Sequence, residues 1–282
     1  MPICYYNGQW LPNDTIPLSV DSRSFRFGEG LFETFPANAQ GPVLFDEHMN
    51  RLWKGMQELQ FQIPKLLSPE RIREIIEKLM QKNKTPNARI RITVMRGPGG
   101  LFDPLTLSPD ILIQSWALPE HTGQLNENGL VLSIYPDARK AYDRFSALKH
   151  NNFLPYSLGA LHAKTHQCND AIILNSHDRI ADTCIANLFI IRSSAIITPP
   201  LSEACIAGIL RKEWLHWLRA SGYSIAEQPI TVAELLEADE VFLTNSIHPI
   251  RWVGRIEEKT YSKQRIGSIY QAFRQTKPDC FC

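Results

Sequence analysis

Four stretches of this chain carry residue types that could do chemistry. Arg26-Phe27-Gly28-Glu29-Gly30-Leu31-Phe32-Glu33-Thr34 sets two glycines around an acid just before an apolar run. Glycines so spaced make a tight turn, and a turn alone performs no reaction. His48-Met49-Asn50-Arg51-Leu52 puts Arg51 between apolar positions, where it can snorkel at a core edge or clamp an anion with its planar fork. Ser146-Ala147-Leu148-Lys149-His150-Asn151-Asn152-Phe153 holds an amine that is a nucleophile and proton carrier if desolvation or nearby positive charge frees it of its proton. Nothing in its spacing separates Lys149 from the other lysines, most of which are surface charges. Asp182-Thr183-Cys184-Ile185-Ala186-Asn187-Leu188-Phe189 brings small polar residues to the start of an apolar strand, as a hydrogen-bonded loop also does.

The elements that must position these residues follow from periodicity. Asn7-Gly8 between Tyr5-Tyr6 and Gln9-Trp10 predicts a hairpin, and a second is expected where Phe32 to Phe35 meets Val43 to Phe45. Asp46 is expected to cap a helix built on Met49, Leu52, Trp53, Met56 and Leu59, and Ser68 one built on Ile72, Ile75, Ile76 and Leu79. Alternation through Ala88, Ile90, Ile92 and Val94 predicts a strand whose wet face carries Arg89 and Arg91, with a return strand at Ile111 to Trp116. Apolar content drops from Ala117 to Gly129, which marks residues 117–129 as a linker between a smaller α/β domain at 1–116 and a larger α+β domain at 130–282. In the latter, strands are expected at 130–135, 171–175, 188–192, 195–198 and 240–244, and helices at 155–166, 208–220, 232–237 and 261–275. The mixture lacks a regular alternation, so the fold class is α+β rather than doubly wound, and a site is expected in the cleft between the domains.

Composition narrows the partners. Thirty basic and twenty-nine acidic residues in 282 leave a net charge of +1, which offers no field for a nucleic-acid backbone or an anionic membrane. The start has no signal-peptide pattern and no run is long enough to span a bilayer, so a cytoplasmic protein is expected. Six scattered cysteines without a C-x-x-C pair argue against a disulfide framework or a zinc site, and the Cys280-Phe281-Cys282 tail reads as a frayed terminus.

Taken in order, the stretches resemble the class IV aminotransferases, the fold-type IV pyridoxal 5'-phosphate (PLP) enzymes, which include branched-chain aminotransferase, D-amino acid aminotransferase and 4-amino-4-deoxychorismate lyase. Gly28 to Thr34 is similar to the family's G-D-G-x-F-E-T with Glu29 for Asp, and His48 to Leu52 to its H-x-x-R-L. Leu148-Lys149-His150-Asn151-Asn152 stands where the Schiff-base lysine and K-x-x-N belong, and Asp182 to Phe189 matches E-x-x-x-x-N-x-F apart from its first residue. Gly208-Ile209-Leu210-Arg211 matches G-I-x-R, and Asp239 to Ser246 resembles D-E-x-F-x-T-N-S.

The resemblance implies a PLP enzyme with an amino-acid-like substrate, a two-domain D-amino acid aminotransferase-like fold and a homodimer. It makes Lys149 the Schiff-base lysine and Arg51 the phosphate-binding arginine, with Gly208, Ile209 and Leu210 supplying backbone N–H groups and Ser246 a hydroxyl. Asp182 stands where the pyridine nitrogen needs a carboxylate, one methylene shorter than the family Glu. Compact length, Thr34 with a hydroxyl for the reacting carbon, and the Thr244-to-Ile250 stretch lean towards the lyase, which expels pyruvate to give 4-aminobenzoate for folate synthesis. A branched-chain or D-amino acid transaminase is the alternative, and a non-catalytic PLP-binding protein a remote one. Leu101 stands where some lyases have arginine, and Arg96 is the expected substitute for meeting a substrate carboxylate.

Overall fold

The computed structural model describes residues 1–282, and its contacts divide the chain into two units. The first comprises Met1–Thr122 with Leu148–Asn152 and Cys282, the second Gly123–Ala147 with Phe153–Phe281. The main division thus falls inside the 117–129 stretch. The excursion at Leu148–Asn152 departs from chain order: the lysine stretch, expected in the C-terminal domain, is built into the first unit.

In the first unit β1 (Ile3–Tyr6) and β2 (Gln9–Pro12) form a hairpin with Tyr6 opposite Gln9. Its turn residues Asn7 and Gly8 both have positive φ, which is what this turn chemistry supplies. A short helix α1 (Arg23–Phe27) ends on Gly28 at φ 71. β3 (Gly30–Asn38) then meets β4 (Gly41–Pro42). The second expected hairpin is cut to Ala37–Pro42 and Asn38–Gly41, because Phe45 already opens α2 (Phe45–Glu58). That helix has Leu44 rather than Asp46 at its N-cap, and Asp46 and Glu47 sit in the first turn, where the helix dipole favours acids. α3 (Pro69–Asn83) starts as expected, with the Ser68 hydroxyl accepting from Arg71 N–H at 3.3 Å. β5 (Ala88–Arg96) is the long antiparallel partner of β3, and β6 (Pro109–Ala117) returns along it.

The sheet order β2-β1-β6-β5-β3-β4 is antiparallel throughout. One face buries Leu31, Phe35, Ile90, Ile92 and Val94 against Leu52, Met56, Ile76 and Leu79 of the two helices. Because strand side chains alternate, the other face carries Phe32 opposite Thr93, Thr34 opposite Arg91, and Pro36 opposite Arg89.

The second unit holds β7 (Leu130–Lys140), α4 (Leu154–Thr165), β8 (Asp170–Asn175), β9 (Ile180–Thr183), β10 (Asn187–Arg192), β11 (Ala195–Thr198), α5 (Ile209–Ala220), β12 (Ile225–Glu227), α6 (Val232–Glu237), β13 (Glu240–Thr244), β14 (Arg251–Ile256), β15 (Lys259–Thr260) and α7 (Gln264–Thr276). Its sheet runs β12-β11-β10-β13-β14-β7-β8-β9, with β15 on β14. The pairs β11–β12, β14–β7 and β7–β8 are parallel and the others antiparallel, the mixed pattern of an α+β sheet. The C-terminal end is docked rather than frayed: Cys280 is buried, and Phe281 packs on Tyr270 and Phe273. No helix is long and apolar enough to cross a membrane.

Candidate functional site

The first unit fixes the lysine through the free edge of β3. Phe32 N–H donates to the Lys149 carbonyl at 2.9 Å and Asn151 N–H to the Gly30 carbonyl at 2.9 Å, with Leu31 bridged to His150. Gly30 permits this approach, since a Cβ there would lie 2.3 Å from the Val94 carbonyl oxygen and 2.4 Å from Asn151 Nδ2. The Lys149 ammonium nitrogen sits 4.5 Å from the centre of the Phe32 ring.

On the helix side of β3, Glu33 is buried and ties α2 to the strand. Its carboxylate accepts from Arg51 Nε at 2.7 Å and Nη2 at 2.6 Å, and from His48 Nδ1 at 2.6 Å. Burial alone would push the Glu33 carboxyl up, but Arg51 and then His48 hold it at about 2. Burial is also the main reason the His48 value falls below its ordinary 6.5, against the pull of Glu33. The ring is therefore neutral at pH 7 and its Nδ1–H is the donor to Glu33. Arg51 is thus held by a bidentate fork in one orientation.

The other face of the same sheet carries Arg89 and Arg91 as expected, Arg89 exposed and Arg91 half-buried, and both lie over aromatic rings. Arg91 stacks its guanidinium 3.9 Å from the centre of the same Phe32 ring, and Arg89 lies 4.7 Å from that of Trp116. Thr34 faces Arg91 in register. Neither arginine pairs with an acid. Burial, and then Arg89, lower the Arg91 value. Alternation gave the face of these arginines, and only the structure brings Arg91 and Lys149 to one ring.

Arg96 is not on that face. It is 5% exposed and donates to the carbonyls of Leu59, Gln60 and Leu107 and to Glu29, over the Phe61 ring. Glu29 also takes the fork of Arg23. The geometry gives Arg96 the task of tying its strand end to Glu29 and the Leu59–Gln60 turn, in place of the substrate contact expected of it.

The second unit holds the remaining candidates. Asp182, 2% exposed on β9, accepts at Oδ2 from Tyr156 OH at 2.8 Å, Ile206 N–H at 3.0 Å and Lys140 Nζ at 3.3 Å, while its Oδ1 is buried with no partner. Burial and then Asp182 push the Tyr156 hydroxyl well above its ordinary value, so it stays a donor. Lys140 and Tyr156 were invisible as site residues in the sequence.

Gly208 caps α5, and a Cβ there would lie 2.0 Å from Asn187 Oδ1. Its own N–H turns back to the Ile206 carbonyl, so Ile209 and Leu210 bring the helix-start amides to this corner. Asn187 pairs with Thr244 across β10 and β13, and Thr244 Oγ1 is buried without a partner. Ser246 follows in a loop shaped by Asn245 Oδ1, which accepts from Ile247 N–H at 3.0 Å and His248 N–H at 2.8 Å. Arg211, the arginine of G-I-x-R, is spent on Glu227 and the Pro199 carbonyl.

Residues 30–256 match the model of the amino-transferase class IV family. The chain belongs to that family. It is 28% identical over 255 residues to an aminodeoxychorismate lyase of Vibrio harveyi, covering 88% of this chain and 91% of that one. It is 25% identical over 278 residues to a putative branched-chain-amino-acid aminotransferase of Methanocaldococcus jannaschii, covering 98% and 95%. A solved branched-chain amino acid aminotransferase with pyridoxamine 5'-phosphate superposes with a TM-score of 0.84 at 23% identity, covering 95% of this chain and 92% of that one. Class IV aminotransferases are enzymes that use PLP.

The residues present fit that cofactor. A buried carboxylate oxygen without a donor, at a cost of about 1–3 kcal/mol if nothing meets it, suits a protonated ring nitrogen. A helix start cradled by glycine, with an unpartnered hydroxyl alongside in register, suits a phosphate.

Proposed function

We propose that the chain is a PLP-dependent 4-amino-4-deoxychorismate lyase. What carries this reading is Arg91 over Phe32, the ring that also lies under Lys149, with Arg89 two residues along the same face. Two guanidiniums without acidic partners suit a substrate with two carboxylates, as 4-amino-4-deoxychorismate has. A branched-chain amino acid has one carboxylate and an apolar side chain, and of the transaminase's substrates only the dicarboxylate amino acceptor would engage both arginines.

In this reading Lys149, Arg51, Asp182, Thr244, Ser246 and the amides of Ile209 and Leu210 hold PLP, which when bound supplies an electron sink for the amine-bearing carbon. The amine of Lys149 takes the proton from that carbon. The C–O bond to the enolpyruvyl group breaks and the ring becomes aromatic. The departing enolate, its oxygen accepting a hydrogen bond from the Thr34 hydroxyl, takes at its methylene carbon the proton that Lys149 removed and so becomes pyruvate. Glu33 keeps the Arg51 fork oriented, and Arg91 and Arg89 orient the substrate carboxylates.

The test is direct: the purified enzyme with PLP is given 4-amino-4-deoxychorismate and, separately, L-valine with 2-oxoglutarate. The expected result is equimolar pyruvate and 4-aminobenzoate with little transamination, and Arg91→Ala raises KM about ten- to hundredfold. Valine transamination without 4-aminobenzoate would overturn the lyase assignment. The working unit is proposed to be a homodimer, supported by the exposed Leu154, Leu158 and Leu161 on α4. Sedimentation at the mass of one chain would sink that part.

A further inference from the structure

We propose that Lys140 is a positioning residue for the cofactor's pyridine ring, clamping Asp182 by one carboxylate oxygen so that the other is the acceptor offered to the ring nitrogen. The inference rests on PLP being bound by this chain.

Its basis is an asymmetry within one buried side chain. Asp182 Oδ2 takes three donors, from Tyr156, Ile206 and Lys140, and Oδ1 takes none. A carboxylate free to turn would spread three donors over its two oxygens, each of which has two lone pairs. The donors come from three places in the fold: the end of β7, helix α4 and the turn before α5. They fix the torsion of the carboxylate as well as its position.

Lys140 also donates to the Tyr156 hydroxyl, so it braces the second donor as well as the acceptor. Of the three it alone is a cation, and its side chain is 9% exposed, a burial that needs an anionic partner. The pairing of β7 with β8 shifts between Ile134 and Arg139, and beyond that irregularity Lys140 stands opposite Asn175. Aspartate is short and cannot search for its partner, and the long lysine stem comes to it instead.

The test separates an effect on the ring nitrogen from an effect on packing. Wild type, Lys140→Met and Lys140→Arg are freed of cofactor and titrated with PLP and with its analogue in which carbon replaces the ring nitrogen. In the methionine variant PLP affinity is expected to fall about ten- to hundredfold. Affinity for the carbon analogue should stay within about twofold, and Lys140→Arg should recover most of the loss. Equal losses for both ligands, or none for either, overturn the proposal. A wild type that binds PLP no tighter than the carbon analogue overturns it too. A wild type that binds neither ligand overturns the cofactor reading itself. If the methionine variant does not fold, Lys140→Gln, which keeps a donor without the charge, is read by the same ratio.

Discussion

Replacing Lys149 with alanine is expected to abolish borohydride fixation of PLP on the protein and to lower turnover on the order of 10³-fold or more. The two effects have one cause, because the same amine both holds the cofactor and moves the proton. The variant should still fold. The lysine stretch is held on β3 by backbone bonds, Phe32 N–H to the residue-149 carbonyl and Asn151 N–H to the Gly30 carbonyl, and neither needs the side chain. The substitution removes, among its contacts, the ammonium over the Phe32 ring, worth about 0.5–2 kcal/mol. Peptide mapping after reduction decides the matter: the wild type should carry the cofactor on the peptide containing Lys149, and Lys149→Ala on none. Fixation on Lys140 in the wild type would sink the assignment, since Lys140 is a second amine beside a candidate cofactor residue, Asp182.

How far the sequence could be read follows from where each signal resides. Arg51 was legible because it stands in sequence between the apolar helix positions Met49 and Leu52, and because its motif stands in order with the others. Lys149 was legible only through that order. The edge pairing that fixes it is made by backbone groups, which leave no mark in residue types. Arg91 was seen as one residue of a polar face, since alternation tells which side a residue is on and not what stands over it. Lys140, Tyr156 and Asp182 meet from positions 16 to 42 residues apart, and no local pattern encodes that meeting. Arg96 misled because its charge suggested a ligand, while carbonyls from a loop over thirty residues away absorb it.

Glu33→Gln is expected to destabilise the protein by about 3 kcal/mol at pH 7 and to lose that effect in acid. The wild-type carboxylate is buried and held at about 2 against an ordinary 4.5, a difference worth about 3 kcal/mol. Since the folded value lies below the unfolded one, this stability is fully present above pH 4.5 and is lost as pH falls towards about 2. Glutamine keeps the shape and removes the charge, so the partly buried Arg51 loses the Glu33 anion held against it, a loss that reaches about 3–5 kcal/mol where a pair is fully buried. Urea unfolding of both proteins between pH 7 and pH 2.5 tests this. The gap should be wide at neutral pH, corresponding to a fall in Tm of roughly 6–10 °C, and should shrink in acid. A gap that stays constant across that range would mean the amide is costly for its packing and not for its charge. His48, neutral at pH 7, contributes the same Nδ1–H in both proteins and does not blur the comparison there. The experiment reaches function as well: if Glu33 orients the Arg51 fork, the variant also loses PLP affinity at pH 7, where it remains folded.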